Sequence, residues 1–233
     1  ACENFRSFGG KDVRILGTKT KISKNDFFQK FETGESISVQ FFSDEKKTKI
    51  LSILDQIQSK DTKNPFLIET ILTRKVNDFE LRKMQRIVKK ISKIFRLRGV
   101  NNIDLISKKN NFSDLKLLEL NARPGLSTNI IHKTNKKVFD DYNFDVKFKN
   151  PTFFFSTTII YSKKKVLIDK KKISFIKKLS KSKNFSELPS LQDQINLDEP
   201  ICLLHLKSKK REIIIKKISR LAKRIHTSLS CER

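Results

Sequence analysis

Apolar and polar residues alternate along Ser36-Ile37-Ser38-Val39 and again along Lys49-Ile50-Leu51-Ser52-Ile53. Successive side chains of an extended chain point to opposite faces, so each run predicts a strand with one buried face. Asp44-Glu45-Lys46-Lys47 between them predicts a hairpin turn. From Asn77 to Arg98 the period changes. Met84, Ile87, Val88, Ile91, Ile94 and Phe95 recur at intervals of three and four, which predicts a helix capped by Asn77 or Asp78 and stopped by Gly99. Asn64-Pro65-Phe66 ahead of it marks a loop. Asn102–Ile106 and Leu115–Leu120 return to the extended pattern around a polar turn, Ser107–Asp114.

After Asn150-Pro151 the character changes. Phe153–Tyr161 and Val166–Ile168 predict strands joined by Ser162-Lys163-Lys164-Lys165, and Ile201–Leu206 predicts another. Residues 186–200 are loop-rich. Lys210–Thr227 is an amphipathic helix with Ile214, Ile215, Ile218, Leu221, Ala222 and Ile225 on one side. The expected class is α+β. The expected division is a core over 1–150 and a small C-terminal α+β lobe over 151–233. There is no internal repeat.

The predicted hairpin at 102–120 carries the chemistry. If Ile103 and Leu105 lie opposite Leu120 and Leu118, then Asp104 lies opposite Glu119, and directly opposed residues share a face. Asn121 falls two residues beyond Glu119, on the same face. Three oxygen donors then converge, a set that suits Mg²⁺. Arg123 follows, with a planar fork that matches a pair of phosphate oxygens. Pro124-Gly125 ends the strand, and Ser127 or Thr128 can cap a following helix. One acid on a strand is an ordinary solvent-facing charge. The whole set, on strands that are apolar on both faces (Leu117, Leu118, Leu120), implies buried acids, and a metal removes the cost of burying them.

Asp104 followed by Glu119-Leu120-Asn121-Ala122-Arg123-Pro124-Gly125 resembles the ATP-grasp superfamily. The resemblance implies an ATP-grasp fold, with antiparallel sheets and flanking helices, plus the C-terminal lobe. It implies ATP and Mg²⁺ (or Mn²⁺) as cofactors, Asp104, Glu119 and Asn121 as metal ligands, and Arg123 on the transferred phosphate as the catalytic residue. The activity implied is a carboxylate–amine ligase, which makes an acylphosphate from a small carboxylate and lets an amine or similar nucleophile displace phosphate. Within the superfamily the chain is similar to predicted carboligases related to biotin carboxylase, some of which are linked to tetrahydromethanopterin-dependent one-carbon metabolism.

The front of the chain extends the resemblance. Ser7-Phe8-Gly9-Gly10-Lys11-Asp12-Val13-Arg14 has a Gly pair that permits positive φ and close backbone approach. It lies where the family carries a phosphate-covering flap, which implies contacts from Gly9, Gly10 and Lys11. The family's phosphate-binding Lys just before the flap has no counterpart in Glu3-Asn4-Phe5-Arg6, where Arg6 is the available cation. Asp26–Val39 resembles the family's adenine-holding hinge, with Glu35 the first candidate for ribose and Glu32 the second. Arg74 falls where some ligases contact an acyl substrate; a solvated Arg is the plainer expectation. The family usually has an α/β domain before the flap, so a leading domain is expected to be missing from this chain.

Composition bounds the alternatives. The chain has 233 residues, with 51 Lys plus Arg against 25 acids and a formal charge of +26. Such a charge attracts polyanions. Lys, Asn, Ile and Phe are abundant, Ala occurs only at positions 1, 122 and 222, and Trp is absent, as AT-rich coding would produce. Basic residues are dispersed, no RNA-binding motif accompanies them, and specific nucleic-acid recognition is not expected. A nucleic-acid-binding basic protein and a non-catalytic ATP-binding relative remain the alternatives. Cys2, Cys202 and Cys231 and His132, His205 and His226 are isolated, so neither a zinc site nor a disulfide framework is supported. No apolar run is long enough for a membrane helix, and a cytoplasmic location is expected. The oligomeric state is open, a homodimer included.

Overall fold

The computed structural model describes residues 2–4, 13, 15–17, 22–59, 62, 64, 66–108, 111–134, 138 and 147–230. Its strands in chain order are β1 (Cys2–Asn4), β2 (Asp26–Phe28), β3 (Glu35–Ser43), β4 (Thr48–Gln58), β5 (Ile68–Thr73), β6 (Gly99–Lys108), β7 (Asn111–Asn121), β8 (Phe154–Tyr161), β9 (Val166–Leu167), β10 (Phe185–Ser186), β11 (Gln194–Ile195) and β12 (Pro200–Ser208). The helices are α1 (Asp78–Phe95), α2 (Thr128–Thr134), α3 (Lys170–Ser180) and α4 (Arg211–Ser230).

Eight strands form one sheet in the order β10-β12-β8-β5-β4-β3-β6-β7. Its pairings are antiparallel throughout. The sheet runs across the division expected at residue 150, because β5 pairs with β8 through Thr70–Thr158 and Leu72–Ser156. An apolar run alone cannot announce which strand it will pair with.

Alternation gives the sheet two distinct faces. On the back face, Ile37, Val39, Phe41, Ile53, Ile103 and Leu105 pack against Met84, Val88 and Ile91 of α1. Fully burying each of those helix side chains contributes roughly 1.5–3 kcal/mol. Farther along the same face, Ile160, Cys202, Leu204 and Leu206 meet Ile214, Ile218 and Ile225 of α4. The front face is mostly polar beneath β3 and β6, and α2 covers part of it through Ile130 against Leu54 and Ile71.

Helix α1 begins in a capping box. Asn77 accepts the Glu80 amide at 2.9 Å, and Glu80 accepts the Asn77 amide at 2.9 Å. This settles the cap on Asn77. The helix ends at Phe95, earlier than expected, with Arg96 in the left-handed region at φ 47. Ile94 and Phe95 accordingly lie off the buried stripe and are exposed. The turn after β6 is also tighter than expected, since Lys108 pairs with Asn111. Phe112 explains the extra strand length: it is buried in the back-face core, where the Arg74 guanidinium stands 4.9 Å from its ring. Helix α3 was not evident in the sequence pattern, although Asp169 caps it by accepting the amides of Lys171 and Lys172.

Candidate metal and nucleotide site

Strand β3 lies between β4 and β6, and β7 closes the sheet edge. Ser38 pairs with Asp104, Asp104 with Glu119, and Asn102 with Asn121. Ser38, Asn102, Asp104, Glu119 and Asn121 therefore share the front face. The expected opposition of Asp104 and Glu119 is present in the register. Immediately after it the strands slip: Leu105 pairs with Leu117, not Leu118. The bulge leaves Leu118 opposite nothing, and its carbonyl accepts Gln29 Nε2 at 3.3 Å. Gln29 thereby ties the hinge-like segment after β2 to the edge strand.

The two acids have different surroundings. Asp104 Oδ1 accepts Gln56 Nε2 at 3.0 Å and Asn102 Nδ2 at 2.9 Å. Ser38 Oγ in turn donates to Asn102 Oδ1 at 2.7 Å. These partners are all neutral. Burial pushes the Asp104 carboxyl above its usual range, and the hydrogen bonds from Asn102 and Gln56 only partly oppose that. Glu119 is exposed, contrary to the expected burial of both acids, because β7 is an edge strand. Asn121 is half-buried.

This donor set fits a hard divalent cation. It is all oxygen, it carries two carboxylates, and the inner carboxylate is held by neutral donors, Gln56 and Asn102. Gln40 adds a second sign. It pairs with Asn102, its Nε2 reaches Thr128 Oγ1 at 3.5 Å, and its Oε1 is buried without a partner. Among the described residues no three His, Cys, Asp or Glu side chains gather into a metal-binding group, and the donors on this face are two carboxylates and an amide.

The remaining expected residues are placed as follows. Arg123 is exposed just after β7, its Nη1 3.4 Å from the Pro124 carbonyl. Glu32 is held by Lys116 at 2.8 Å, and the Lys116 ammonium keeps its carboxyl below the usual range. Lys116 pairs with Ile106, which puts it on the Asp104 face. Glu35 belongs to the opposite face, where Arg74 Nη1 lies 3.2 Å from its Oε2. The structure does not bring Glu35 to Asp104, because the two are an odd number of pleats apart in register. Arg6, Gly9, Gly10 and Lys11 lie outside the described residues.

Arg74 is not a solvated cation. Its Nη1 is 2.6 Å from Asp55 Oδ1, and Asp55 also pairs with Arg211 of α4. This buried bridge joins the central sheet to the C-terminal helix. Sequence reasoning missed it, together with Gln40, Gln56 and Asn102. The available signal was a polar residue recurring at strand positions flanked by apolar ones.

The fold and this hairpin define a nucleotide-binding class of known architecture. A model of the ATP-grasp domain matches residues 3–127, and the chain belongs to the ATP-grasp family. A search of characterised proteins by sequence returns no match. Among solved structures, the chain is similar to L-amino acid ligase from Bacillus licheniformis, with TM-score 0.61, 14% identity, and coverage of 83% of this chain and 53% of the other. It is also similar to N5-carboxyaminoimidazole ribonucleotide synthetase from Thermotoga maritima, with TM-score 0.58, 11% identity, and coverage of 87% and 55%. A third is the biotin carboxylase–β,γ-ATP complex from Campylobacter jejuni, with TM-score 0.57, 12% identity, and coverage of 82% and 46%. At these identities the likeness establishes the fold. The chain spans about half the length of these structures.

Proposed function

We propose that this chain is the ATP-binding part of an ATP-dependent ligase that activates a carboxylate and joins it to an amine or a similar nucleophile. The observation that carries this is the register of β6 and β7, which sets Asp104 opposite Glu119 and Asn102 opposite Asn121 on one face. Family membership supplies the reaction class.

In this proposal Asp104, Glu119 and Asn121 hold Mg²⁺ or Mn²⁺. Bound there, the ion would neutralise charge on the phosphates and favour phosphoryl transfer. Asn102 and Gln56 hold the Asp104 carboxylate in one orientation by donating to the same oxygen. Arg123, exposed just after β7, contacts the transferred phosphate. Gly9, Gly10, Lys11 and Arg6 contribute to phosphate binding. Glu32 is preferred to Glu35 for the ribose, since it sits beside Lys116 on the Asp104 face. The small carboxylate and amine are unspecified. Tetrahydromethanopterin-linked one-carbon metabolism is a finer placement supported by sequence resemblance alone. The core over 1–150 carries the nucleotide site, and 151–233 extends its sheet.

A non-catalytic ATP-binding relative is the second proposal, favoured by Glu3-Asn4-Phe5-Arg6 where the family has Lys. Thermal unfolding of the chain with and without Mg-ATP tests both. Protection that needs metal and is lost in Glu119→Ala, Asn121→Ala supports nucleotide binding at this face. Phosphate release above background then separates an enzyme from a binder. Equal protection in wild type and the double variant would remove the site from consideration.

A further inference from the structure

The β3–β4 turn stands against the last turns of α1, on the helix-covered side of the sheet. Between them lies a groove of about 440 Å³. Lys46, Lys47, Lys89, Lys93, Arg96 and Arg98 line it. Two carboxylates, Asp44 and Glu45, also line it, and both are engaged. Asp44 Oδ1 accepts the amides of Lys46 and Lys47 at 2.8 Å each, and Glu45 pairs with Arg98. One or two cations would offset the partial negative charge at the end of a helix. Six exceed that need.

Two further observations single this groove out. Ser92 lines it, is only 6% exposed, and its hydroxyl is buried without a hydrogen-bond partner. A buried hydroxyl left unmade is costly, and an acceptor placed in the groove would remove that cost. Arg96 also adopts φ 47, ψ 44, a conformation that glycine adopts freely and other residues adopt at an energetic cost. That conformation ends α1, with the Arg96 and Leu97 amides both donating to the Ser92 carbonyl, and it leaves the Arg96 side chain lining the groove.

We propose that this groove is a second anion site, one that takes a small oligophosphate, with Lys89, Lys93 and Arg96 holding its oxygens and Ser92 donating to one of them. The volume suits a ligand of a few phosphoryl groups, and Arg with Lys is the usual equipment for them. The groove lies on the α1 side, while Asp104 and Glu119 face the other way. Oligophosphate binding here therefore does not depend on the ligase assignment.

Titration calorimetry with tripolyphosphate, without divalent metal, tests this on a chain carrying Glu119→Ala, Asn121→Ala and Arg123→Ala, which removes two proposed metal ligands and the proposed phosphate contact of the opposite face. One-to-one binding is expected. Lys93→Ala with Arg96→Gly should weaken it at least tenfold. Arg96→Gly alone should raise the melting temperature, because glycine relieves the left-handed backbone, so lost binding cannot be ascribed to unfolding. Lys170→Ala with Lys171→Ala, on a different basic run, should leave affinity unchanged. An equal loss in that control, or no loss in the groove variant, overturns the proposal. Tighter binding of a single-stranded oligonucleotide through the same groove residues overturns it in favour of a nucleic-acid surface.

Discussion

Asp104 and Glu119 are direct partners across β6 and β7, yet one is half-buried among neutral donors and the other is exposed on the edge strand. A pair so arranged couples a poorly solvated charge to one that solvent can reach. Glu119 and Asn121 should therefore be removable at little structural cost. Glu119→Ala with Asn121→Ala is expected to change unfolding free energy by no more than about 1 kcal/mol, since surface changes away from packing features are small. Metal-dependent protection by ATP should vanish. Urea denaturation and thermal shift with Mg-ATP check the two halves.

Asp104→Asn should act in the opposite sense on the apo chain. Burial raises the folded-state carboxyl above its usual value, so the fold gains from its protonation. That stability is present at pH below the unfolded value and is lost as pH rises through the folded one. The amide analogue keeps the acceptor oxygen for Asn102 and Gln56 without the charge. It should be more stable than wild type at neutral pH, and the difference should disappear in acid. Melting temperatures across pH 3 to 8, without divalent metal, would show no such convergence if Asp104 were well solvated.

His205 gives a second pH signature. Burial, helped by the nearby Lys133 charge, pushes its imidazole down to about 4. Thr157 Oγ1 lies 3.1 Å from Nδ1 and Ser186 Oγ 2.8 Å from Nε2. The neutral form is favoured in the fold, so its stabilisation is complete above the unfolded value and is lost as pH falls towards the folded one. A drop from the usual 6.5 to about 4 corresponds to roughly 3 kcal/mol. His205→Gln should flatten the stability profile between about pH 6.5 and 4, even if it lowers stability at neutral pH.

Asp55 should be far more sensitive than Arg211. Removing Asp55 leaves Arg74 buried without its nearest counter-charge, and breaking a buried pair costs about 3–5 kcal/mol. Arg211 is 39% exposed. Arg211→Ala should cost about 1 kcal/mol or less, in line with partly solvated pairs. Chemical denaturation of both variants, with the double variant closing a cycle, measures the difference.

Gly34→Ala should be disruptive. A Cβ there would meet the Ser107 backbone oxygen at 2.2 Å. Neither side of that contact is a flexible side chain, so β3 must move away from β6, and overpacking of this kind costs about 1–3 kcal/mol. Because Ser38 of β3 pairs with Asp104, the same variant should also weaken metal-dependent ATP protection.

Much of this protein follows from sequence periodicity. The three-and-four spacing of Met84, Val88 and Ile91 required a helix with one apolar side and narrowed its cap to Asn77 or Asp78, and the structure chose Asn77. The two-residue period around Ile103 and Leu120 required strands, and matching their apolar faces placed Asp104 across from Glu119. Those are local rules, because backbone geometry alone decides which side chains share a face. Long-range packing decided the rest. The register shift at Leu118 is visible only in the paired strands, where Gln29 donates to the Leu118 carbonyl. The union of β5 with β8 depends on which apolar edges meet. The different solvent access of half-buried Asp104 and exposed Glu119 follows strand order, with β3 flanking β6 and β7 at the sheet edge. The Asp55–Arg74 bridge joins partners 19 residues apart, and Arg211 reaches it from 156 residues away. Contacts between distant segments leave no periodic trace in the chain, since their energy comes from surroundings that exist only once the sheet has closed.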